Sequence, residues 1–265
     1  MVVADQATPA TWAEAETFLL VLHRRVMALG QPFRAVLKPR RGQASVGVFA
    51  VGSVEEAEEV FRTLACTQVS TDSSEVACSV VIQEFLAGDE WIVDTVSCAG
   101  KHKVVALWRY DKGAANGAPF VYFGAELRPC GGDVEEALIG YAYRALDALS
   151  WRWGPAHIEV MMTADGPRLV EVNAGRFNGL DFKLLTDLSY GYNAFRSTVD
   201  MYLTPSLFER LPSSPPERLE CAARLVTLVS SVSGVLVRLR HAHELSRMSS
   251  MVSFAPEAAG GGSGQ

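Results

Sequence analysis

Apolar residues recur at helical spacing in some parts of the chain and form short strand-like runs in most of the rest. The helical spacing predicts helices over 12–29, 54–64 and 133–149, and an interrupted helical stretch over 180–203. Strand-like runs are predicted at 33–51 on both sides of a Gly/Ser loop, and at 79–86, 91–98, 103–110, 121–127 and 157–173. Because β-hairpins alternate with flanking helices, the pattern predicts an α+β fold.

Helix-capping and turn-forming residues refine the boundaries of the predicted helices and loops. The first helix carries an apolar stripe and should end at Gly30; its stripe consists of Phe18, Leu22, Val26 and Leu29. Ser53 is placed to cap the second helix, and Gly191 to interrupt the last helical stretch. Three segments are predicted to lack helix and strand: a loop at 111–119, a linker at 212–220 and a disordered tail at 255–265.

One predicted hairpin, HIEVMMTADGPRLVEVN, begins at His157, ends at Asn173 and carries a glutamate in each strand. A three-residue loop centred on Asp165 would set Glu159 opposite Glu171, where like charges destabilise a hairpin. A cation between them would remove that cost, and carboxylates with an amide oxygen suit Mg²⁺. A two-residue loop would send the glutamates to opposite faces and leave one simply solvated. The sequence leaves both loop lengths open.

Composition narrows the class of protein. The chain has 265 residues, 49% of them hydrophobic, and a net charge of −6, which argues against a nucleic-acid partner. Five scattered cysteines without CxxC spacing argue against a disulfide framework or zinc site and favour a reducing, cytoplasmic setting. No secretory signal is evident, and the apolar run at 225–237 is too short to span a membrane, so no membrane partner is expected.

Three further segments carry side chains suited to nucleotide chemistry, and each also has an ordinary reading. The first segment, VLKPRRGQASVGV at 36–48, has a lysine before a Gly/Ser loop. This loop could surround phosphate oxygens or be only a turn, and it lacks the Walker A pattern. The second segment, VVIQEFLAGDEWIVDTV at 80–96, could bind a heterocycle and a ribose, or it could be an ordinary β-hairpin. NAGRFNG at 173–179 offers Arg176 to a phosphoryl group or to the surface. Their order along the chain favours the nucleotide reading.

That order, with VLKPRRGQASVGV, VIQEFLAGDEWIVDTV, GPAHIEV and LVEVNAGRFNG, resembles the ATP-grasp superfamily, and in particular its carboxylate-amine ligases, which include L-amino acid ligases. The resemblance extends from about Phe33 to Leu203. It implies two α+β subdomains that grip Mg²⁺-ATP, with Mn²⁺ as a substitute. It also implies an enzyme that converts a carboxylate to an acyl phosphate, which an amine attacks, releasing ADP and phosphate.

The resemblance also implies roles for individual residues. The strand lysine on the α and β phosphates is Lys38, and the loop over the β and γ phosphates spans Gly42, Ser45 and Gly47. The adenine hinge comprises Gln83, Glu84, Phe85 and Leu86, and the ribose acid is Glu90. The magnesium ligands are Glu159, Glu171 and Asn173. Catalytic roles fall to Arg176, Lys38 and, near the transferring phosphate, His157. The pocket for the acceptor substrate could be bordered by Trp108, Arg109 and Lys112. The end of a strand with charged surface residues explains the presence of these three side chains nearly as well.

The chain departs from this family in one large respect. Relatives usually carry a further N-terminal domain that helps to form the substrate pocket, and we expect this chain to lack it, as a fragment, a shortened gene product or a module that borrows surface from a partner. We therefore expect a homodimer partner or partner domain to complete the pocket, and an exposed apolar patch near 12–36. We expect a helical lead-in at 1–32, a small lid subdomain at 33–87 and a large subdomain with the metal site at 88–211. A C-terminal α/β segment at 212–254 and a disordered tail at 255–265 should follow. Alternatives are a carboxylase-like enzyme and a non-catalytic ATP-binding module.

Overall fold

The structure is a computed structural model that describes residues 2–40, 46–69, 80–230, 232, 234–235 and 237–254, with the backbone alone at 67–69. The chain forms two units, 1–229 and 230–265. Gly42, Ser45 and the predicted tail lie outside the described residues. The second unit contains one short helix, Ala242–Ser246, among its described residues. Within the described ranges, no helix is long and apolar enough to cross a membrane.

The first unit begins with a four-stranded antiparallel sheet, here the small sheet, and two helices that share its core. Its strands, in the order β1-β4-β2-β3, are β1 (Gln6–Ala7), β2 (Ala35–Pro39), β3 (Phe49–Val51) and β4 (Val80–Glu84). Its helices are α1 (Trp12–Ala28) and α2 (Val54–Val69). Leu19 of α1 and Phe61 of α2 are buried against Leu37 and Ile82 of the strands. The N-terminal helix therefore packs into the core of the small sheet.

Capping and burial explain where these two helices lie. Thr11 caps α1 by accepting from the Glu14 N–H, and the apolar stripe of α1 faces the sheet. Leu29, predicted to belong to that stripe, is 68% exposed because it lies past the last helical residue. Ser53 caps α2 by accepting from the Glu56 N–H at 3.1 Å, as predicted. The helix then continues to Val69, five residues beyond its predicted end.

A six-stranded antiparallel sheet, here the large sheet, forms the rest of the unit. Its strands, in the order β10-β7-β6-β5-β8-β9, are β5 (Asp89–Cys98), β6 (Lys101–Ala115), β7 (Ala118–Leu127), β8 (Gly154–Thr163), β9 (Gly166–Ala174) and β10 (Arg224–Val226). Its helices are α3 (Asp133–Ala148), α4 (Leu180–Tyr190), α5 (Ala194–Leu203) and α6 (Pro205–Arg210). Two antiparallel sheets with separate helices confirm the predicted α+β class.

Helices cover the two faces of the large sheet unequally. On one face, Leu138 and Leu146 of α3 pack against Val93 and Ile158. On the other face, α4 and α5 cover part of the sheet, and the ring of Trp108 meets that of Phe182 at 4.7 Å. Because strand side chains alternate, the neighbours of Val93 and Ile158 point away from α3. Those neighbours include the predicted site residues.

The turn between α4 and α5 follows its glycine. Gly191 adopts the left-handed conformation, with φ of 76°, and its N–H donates to the Asp187 carbonyl at 3.2 Å. Asn193 then caps α5 by accepting from the Arg196 N–H at 2.8 Å. The interruption predicted near Gly191 is therefore confirmed.

Two segments predicted to be irregular are more ordered than expected. The loop predicted at 111–119 is wrong, because β6 runs to Ala115 and β7 begins at Ala118. Only Asn116 and Gly117 connect them, both at positive φ, which is the conformation that Asn-Gly hairpin turns require. The predicted linker at 212–220 has no helix or strand, but the Ser213 carbonyl accepts from the N–H of Val104 in β6. It is therefore bound to the large sheet.

The loop between β8 and β9 also differs from the leading prediction. Thr163 pairs with Gly166, so the loop contains two residues, Ala164 and Asp165. The three-residue loop centred on Asp165 is wrong. A two-residue loop followed by strict pairing would place the two glutamates of this hairpin on opposite faces.

A β-bulge restores the predicted pairing. Val160 pairs with Leu169, but the next residue of β8, Glu159, pairs with Glu171. Val170 is the extra residue between these pairs, which is the definition of a bulge. Glu159 and Glu171 therefore face each other directly, as predicted, although the sequence argument had reached this result through a longer loop.

Contacts with α3 hold the bulge in place. Leu169 and Val172 lie three positions apart, so strict alternation would send them to opposite faces; with the bulge, both pack in the core under α3. The Tyr141 hydroxyl of α3 accepts from the Leu169 N–H at 2.9 Å and donates to the Val2 carbonyl at 2.9 Å. Apolar burial and a hydrogen bond thus fix the register of β9.

We predict that Tyr141→Phe destabilises the protein by about 1–2 kcal/mol, because it removes the acceptor of a half-buried N–H at the bulge. Urea unfolding measures the loss, and hydrogen exchange at Leu169 locates it. Tyr143→Phe, on the same helix, is the matched control. Its hydroxyl donates to the Ser213 carbonyl, which keeps its bond from the Val104 N–H. Equal losses in the two variants would contradict the role given to Tyr141.

Candidate functional site

Charged and amide side chains form a band across the face of the large sheet opposite α3. This band, here the polar strip, consists of Glu90 and Asp94 of β5, Lys112 of β6, His157 and Glu159 of β8, and Glu171 and Asn173 of β9. Strand register brings its members together: Asp94 pairs with His157 and His157 with Asn173. Glu159, opposite Glu171, lies in the adjacent row. The sheet therefore gathers residues from four separate strands.

His157 lies between two carboxylates. Its Nδ1 is 2.7 Å from Asp94 Oδ1, and its Nε2 is 3.4 Å from Glu159 Oε1. The imidazole is only 1% exposed. Burial lowers its pKa, but the Asp94 and Glu159 carboxylates outweigh burial and raise the pKa of His157 to about 9. At neutral pH the ring is thus a cation that donates from both nitrogens.

Glu90 and Lys112 form a second buried pair. Their side chains are 10% and 12% exposed and make an ion pair. The Lys112 ammonium also lies 4.6 Å from the ring centre of Tyr110 and 4.1 Å from that of Tyr122. Burial, opposed by Lys112 and reinforced by the Glu159 carboxylate, raises the pKa of Glu90 to about 7. For Lys112, burial is outweighed by Glu90, and its pKa is raised.

Glu159 connects these two pairs. Burial alone would raise its pKa, but the hydrogen bond from His157 and the charge of Lys112 hold the pKa of Glu159 below its usual range. The Glu159 and Glu90 carboxyl groups also interact with each other, and this interaction raises the pKa of Glu90 and lowers that of Glu159. Two cations thus pair with the three largely buried acids of the strip, and burial of several charges requires such pairing.

The outer end of the strip is open to solvent. Asn173 Nδ2 donates to Glu171 Oε1 at 2.6 Å, and an Arg176 guanidinium nitrogen donates to Asn173 Oδ1 at 2.8 Å. Glu171 and Arg176 are exposed. Farther along the same loop, Asn178 Nδ2 donates to the Tyr110 hydroxyl at 3.3 Å. An arginine, an amide and two facing carboxylates therefore converge at one edge of the sheet.

The donor set of this edge fits a magnesium ion that is shared with a ligand. Among the described residues, no group of three or more His, Cys, Asp and Glu side chains is arranged to hold a metal by itself. Mg²⁺ in proteins is held by one or two carboxylates together with substrate phosphates and water. Glu159, Glu171 and the amide oxygen of Asn173 match that chemistry.

The predicted nucleotide residues of the small sheet are placed on β2 and β4. Lys38 lies near the end of β2, paired with Val81 of β4. Gly47, at φ of 73°, comes just before β3, and its Cα approaches the Pro39 ring. Gly42 and Ser45, predicted to cover the phosphates, fall outside the described residues, so their role stays a prediction.

The predicted hinge connects the two sheets. Gln83 is buried at the end of β4, and the Glu84 carboxylate is held by Arg25 of α1 at 2.5 Å. Phe85 lies under the Arg34 guanidinium, 3.5 Å from the ring centre. Leu86 is half-buried in the connection that follows.

The end of this connection approaches the large sheet closely. A Cβ on Gly88 would lie 2.0 Å from the Met162 carbonyl oxygen of β8, so any side chain there would displace backbone. The glycine thus lets the connection pass directly over the strand that carries Glu159.

The structure separates the residues predicted to border an acceptor pocket. Trp108 is fully buried in the core under α4, and Arg109 pairs with Glu126. Lys112 alone reaches the polar strip. Asp94, which the sequence argument did not select, belongs to it. Its signal is an acid within the apolar run 91–96 of β5, four positions after Glu90 and therefore on the same face.

A Ser–His–Asp arrangement lies outside the strip. Ser97 Oγ is 2.7 Å from His102 Nδ1, and His102 Nε2 is 3.3 Å from Asp147 Oδ1. Ser97 is fully buried, so its hydroxyl is closed to substrate. These contacts connect the β5–β6 hairpin to α3 and do not form a hydrolase triad.

Comparisons with known proteins agree with this geometry. The sequence profile of the ATP-grasp domain matches residues 31–183. Dapdiamide A synthase from Enterobacter agglomerans is 30% identical over 175 residues, which cover 65% of this chain and 40% of that protein. Carnosine synthase 1 from Gallus gallus is 27% identical over 200 residues, which cover 72% of this chain and 21% of that protein.

A solved structure shows the same fold. L-amino acid ligase from Bacillus licheniformis superposes with a TM-score of 0.57 at 22% identity, covering 79% of this chain and 46% of that one. The chain thus spans less than half the length of these relatives. Because the ATP-grasp profile covers more than half of the chain and the two-sheet fold agrees with it, the chain belongs to the ATP-grasp family.

Proposed function

We propose that this chain is the Mg²⁺-ATP-binding part of a ligase that joins a carboxylic acid to an amine, with amino acids or peptide-like molecules as substrates. The proposal rests mainly on one observation, the pairing of Glu159 with Glu171 beside Asn173 and Arg176. The names of the relatives support it, since one is an L-amino acid ligase and two are synthases of dapdiamide A and carnosine.

In the proposed reaction, the γ-phosphoryl group of ATP passes to a substrate carboxylate oxygen, giving an acyl phosphate and ADP. The amine nitrogen then attacks the acyl carbon, phosphate leaves with the C–O bond electrons, and the nitrogen loses a proton. Phosphoryl transfer depends on positioning and charge neutralisation, so no nucleophilic serine or cysteine is needed. Bound Mg²⁺ or Mn²⁺ would supply neutralisation of phosphate charge at Glu159, Glu171 and Asn173.

Residues of the chain supply the other parts. Lys38 would bind the α and β phosphates, with the loop that contains Gly42, Ser45 and Gly47 over the β and γ phosphates. Arg176, exposed and held by Asn173, is available to a phosphoryl oxygen.

The proposed nucleoside site lies where the two sheets are connected. The adenine contacts would come from Gln83, Glu84, Phe85 and Leu86, and the ribose contact from Glu90. In the structure Glu90 is paired with Lys112, so a ribose would compete with that ammonium.

The whole protein's substrates and partners remain part of the proposal. A partner domain or second subunit would complete the acceptor pocket. An apolar patch was predicted near 12–36, and four large apolar side chains of that region are exposed: Leu20, Val21, Met27 and Leu29. The proposed divisions are those given above, with α1 packed in the core of the small sheet.

We predict that ATP binds in a Mg²⁺-dependent manner, measured by titration calorimetry with and without Mg²⁺. Lys38→Ala should weaken ATP binding roughly 10- to 100-fold, since a charge-assisted hydrogen bond contributes about 1.5–3 kcal/mol. Glu171→Gln should remove most of the Mg²⁺ dependence of ATP binding.

Glu16→Gln is the matched control, because it removes the same charge from an exposed site on α1. It should leave both affinities unchanged. If Glu171→Gln binds Mg²⁺-ATP as the wild type does, the metal assignment is wrong.

We predict that pairs of amino acids stimulate ADP and phosphate release in equal amounts, with an amide product detected by mass spectrometry. Bicarbonate, the acceptor expected of a carboxylase-like enzyme, should not stimulate the release of ADP and phosphate. Stimulation by bicarbonate alone would replace the ligase proposal with that alternative. Tight Mg²⁺-ATP binding without release for any acid and amine pair would favour a non-catalytic module.

A further inference from the structure

The buried Asp94–His157 pair has no assigned task in the proposed reaction. His157 was predicted to act near the transferring phosphate. Its ring is 1% exposed, and both of its nitrogens face carboxylates, Asp94 on one side and Glu159 on the other. A ring with neither nitrogen directed to solvent is poorly placed to touch a phosphate. Its geometry suits an indirect role.

Exposure falls along the strip from its outer end inward. Glu171 is exposed, the Glu159 side chain is 11% exposed, and the His157 and Asp94 side chains are 1% and 4% exposed. The partner of a metal ligand often fixes the ligand's orientation and tunes its affinity. Here Asp94 holds the imidazole, and the imidazole holds the Glu159 carboxylate, which lies next to the exposed Glu171.

From this order we infer that Asp94 and His157 are positioning residues that orient the Glu159 carboxylate for a divalent cation shared with ATP. Asp94 Oδ1 lies 2.7 Å from Nδ1 and fixes the ring so that Nε2 is directed at Glu159 Oε1, 3.4 Å away. That contact occupies one carboxylate oxygen and leaves Oε2 outside it. Glu90 and Lys112 also act on Glu159, so the imidazole sets its orientation together with them.

The inference rests on the proposed metal site, and the test separates the two. Mn²⁺ binding in the presence of ATP is followed by electron paramagnetic resonance for the full chain and its variants. Asp94→Ala should weaken Mn²⁺ binding about 10- to 100-fold, the usual cost of losing such a partner. Asp94→Asn, which keeps an oxygen acceptor, should restore most of the affinity.

Asp147→Asn is the matched control. Asp147 contacts His102 Nε2 on the same sheet but away from the carboxylates, so its variant should bind Mn²⁺ as the wild type does. If Glu171→Gln weakens Mn²⁺ binding while a folded Asp94→Ala does not, the positioning role is wrong and the metal site stands. If Glu171→Gln has no effect, the metal site itself is wrong.

Nuclear magnetic resonance of the wild type keeps the inference testable if Asp94→Ala does not fold. With ¹⁵N-labelled histidine, the His157 signals are identified by their loss in His157→Gln. We expect the Nε2 signal to shift when Mg²⁺ and ATP are added together, because Glu159, which Nε2 contacts, is then engaged. A His157 spectrum unchanged by Mg²⁺-ATP, at concentrations where calorimetry shows binding, would overturn the positioning role.

Discussion

The register between β8 and β9 is the constraint on which the proposed site depends. The two-residue loop alone would turn Glu171 towards α3, into the apolar core. One extra residue, Val170, returns it to the face of Glu159. Contacts on the α3 side offset the broken ladder: Leu169 and Val172 are both half-buried against the core, and the Tyr141 hydroxyl accepts from the Leu169 N–H. Core packing on one face of the sheet thus sets the chemistry of the other.

Charge balance is the second condition. A sheet face that buries acids side by side is stable only if each is paired or protonated. Here His157 and Lys112 each interact with two carboxylates, and burial, reinforced by the Glu159 carboxylate, raises the pKa of Glu90. The open end at Glu171 and Arg176 has no such enclosure. The strip therefore combines a preorganised interior with an accessible rim, which suits a site that must admit a charged ligand and still orient it.

Much of this was predictable from sequence, and the misses have physical causes. The apolar periodicity located the helices because their apolar stripes pack on sheets. It wrongly included Leu29 in the stripe of α1, because the spacing of apolar residues does not show where the helix ends and stops contacting the core. The Asn-Gly at 116–117 was read as part of a long loop because glycines nearby masked a tight turn. The bulge at Val170 was invisible, because it arises from tertiary packing against α3. Asp94 was overlooked because the role of an acid within the apolar run 91–96 depends on its partner in the neighbouring strand, His157.

In the proposed site, facing carboxylates that a bulge fixes and a buried ion-paired interior supports would hold the divalent cation that accompanies ATP. The most direct measurement is a crystal structure of the protein with Mn²⁺ and ADP, in which anomalous scattering locates the metal. We predict a manganese peak within coordination distance of both Glu159 and Glu171, about 2.0–2.1 Å from their oxygens by analogy with magnesium. A peak bound to the nucleotide alone, with the two glutamates unengaged, would contradict it.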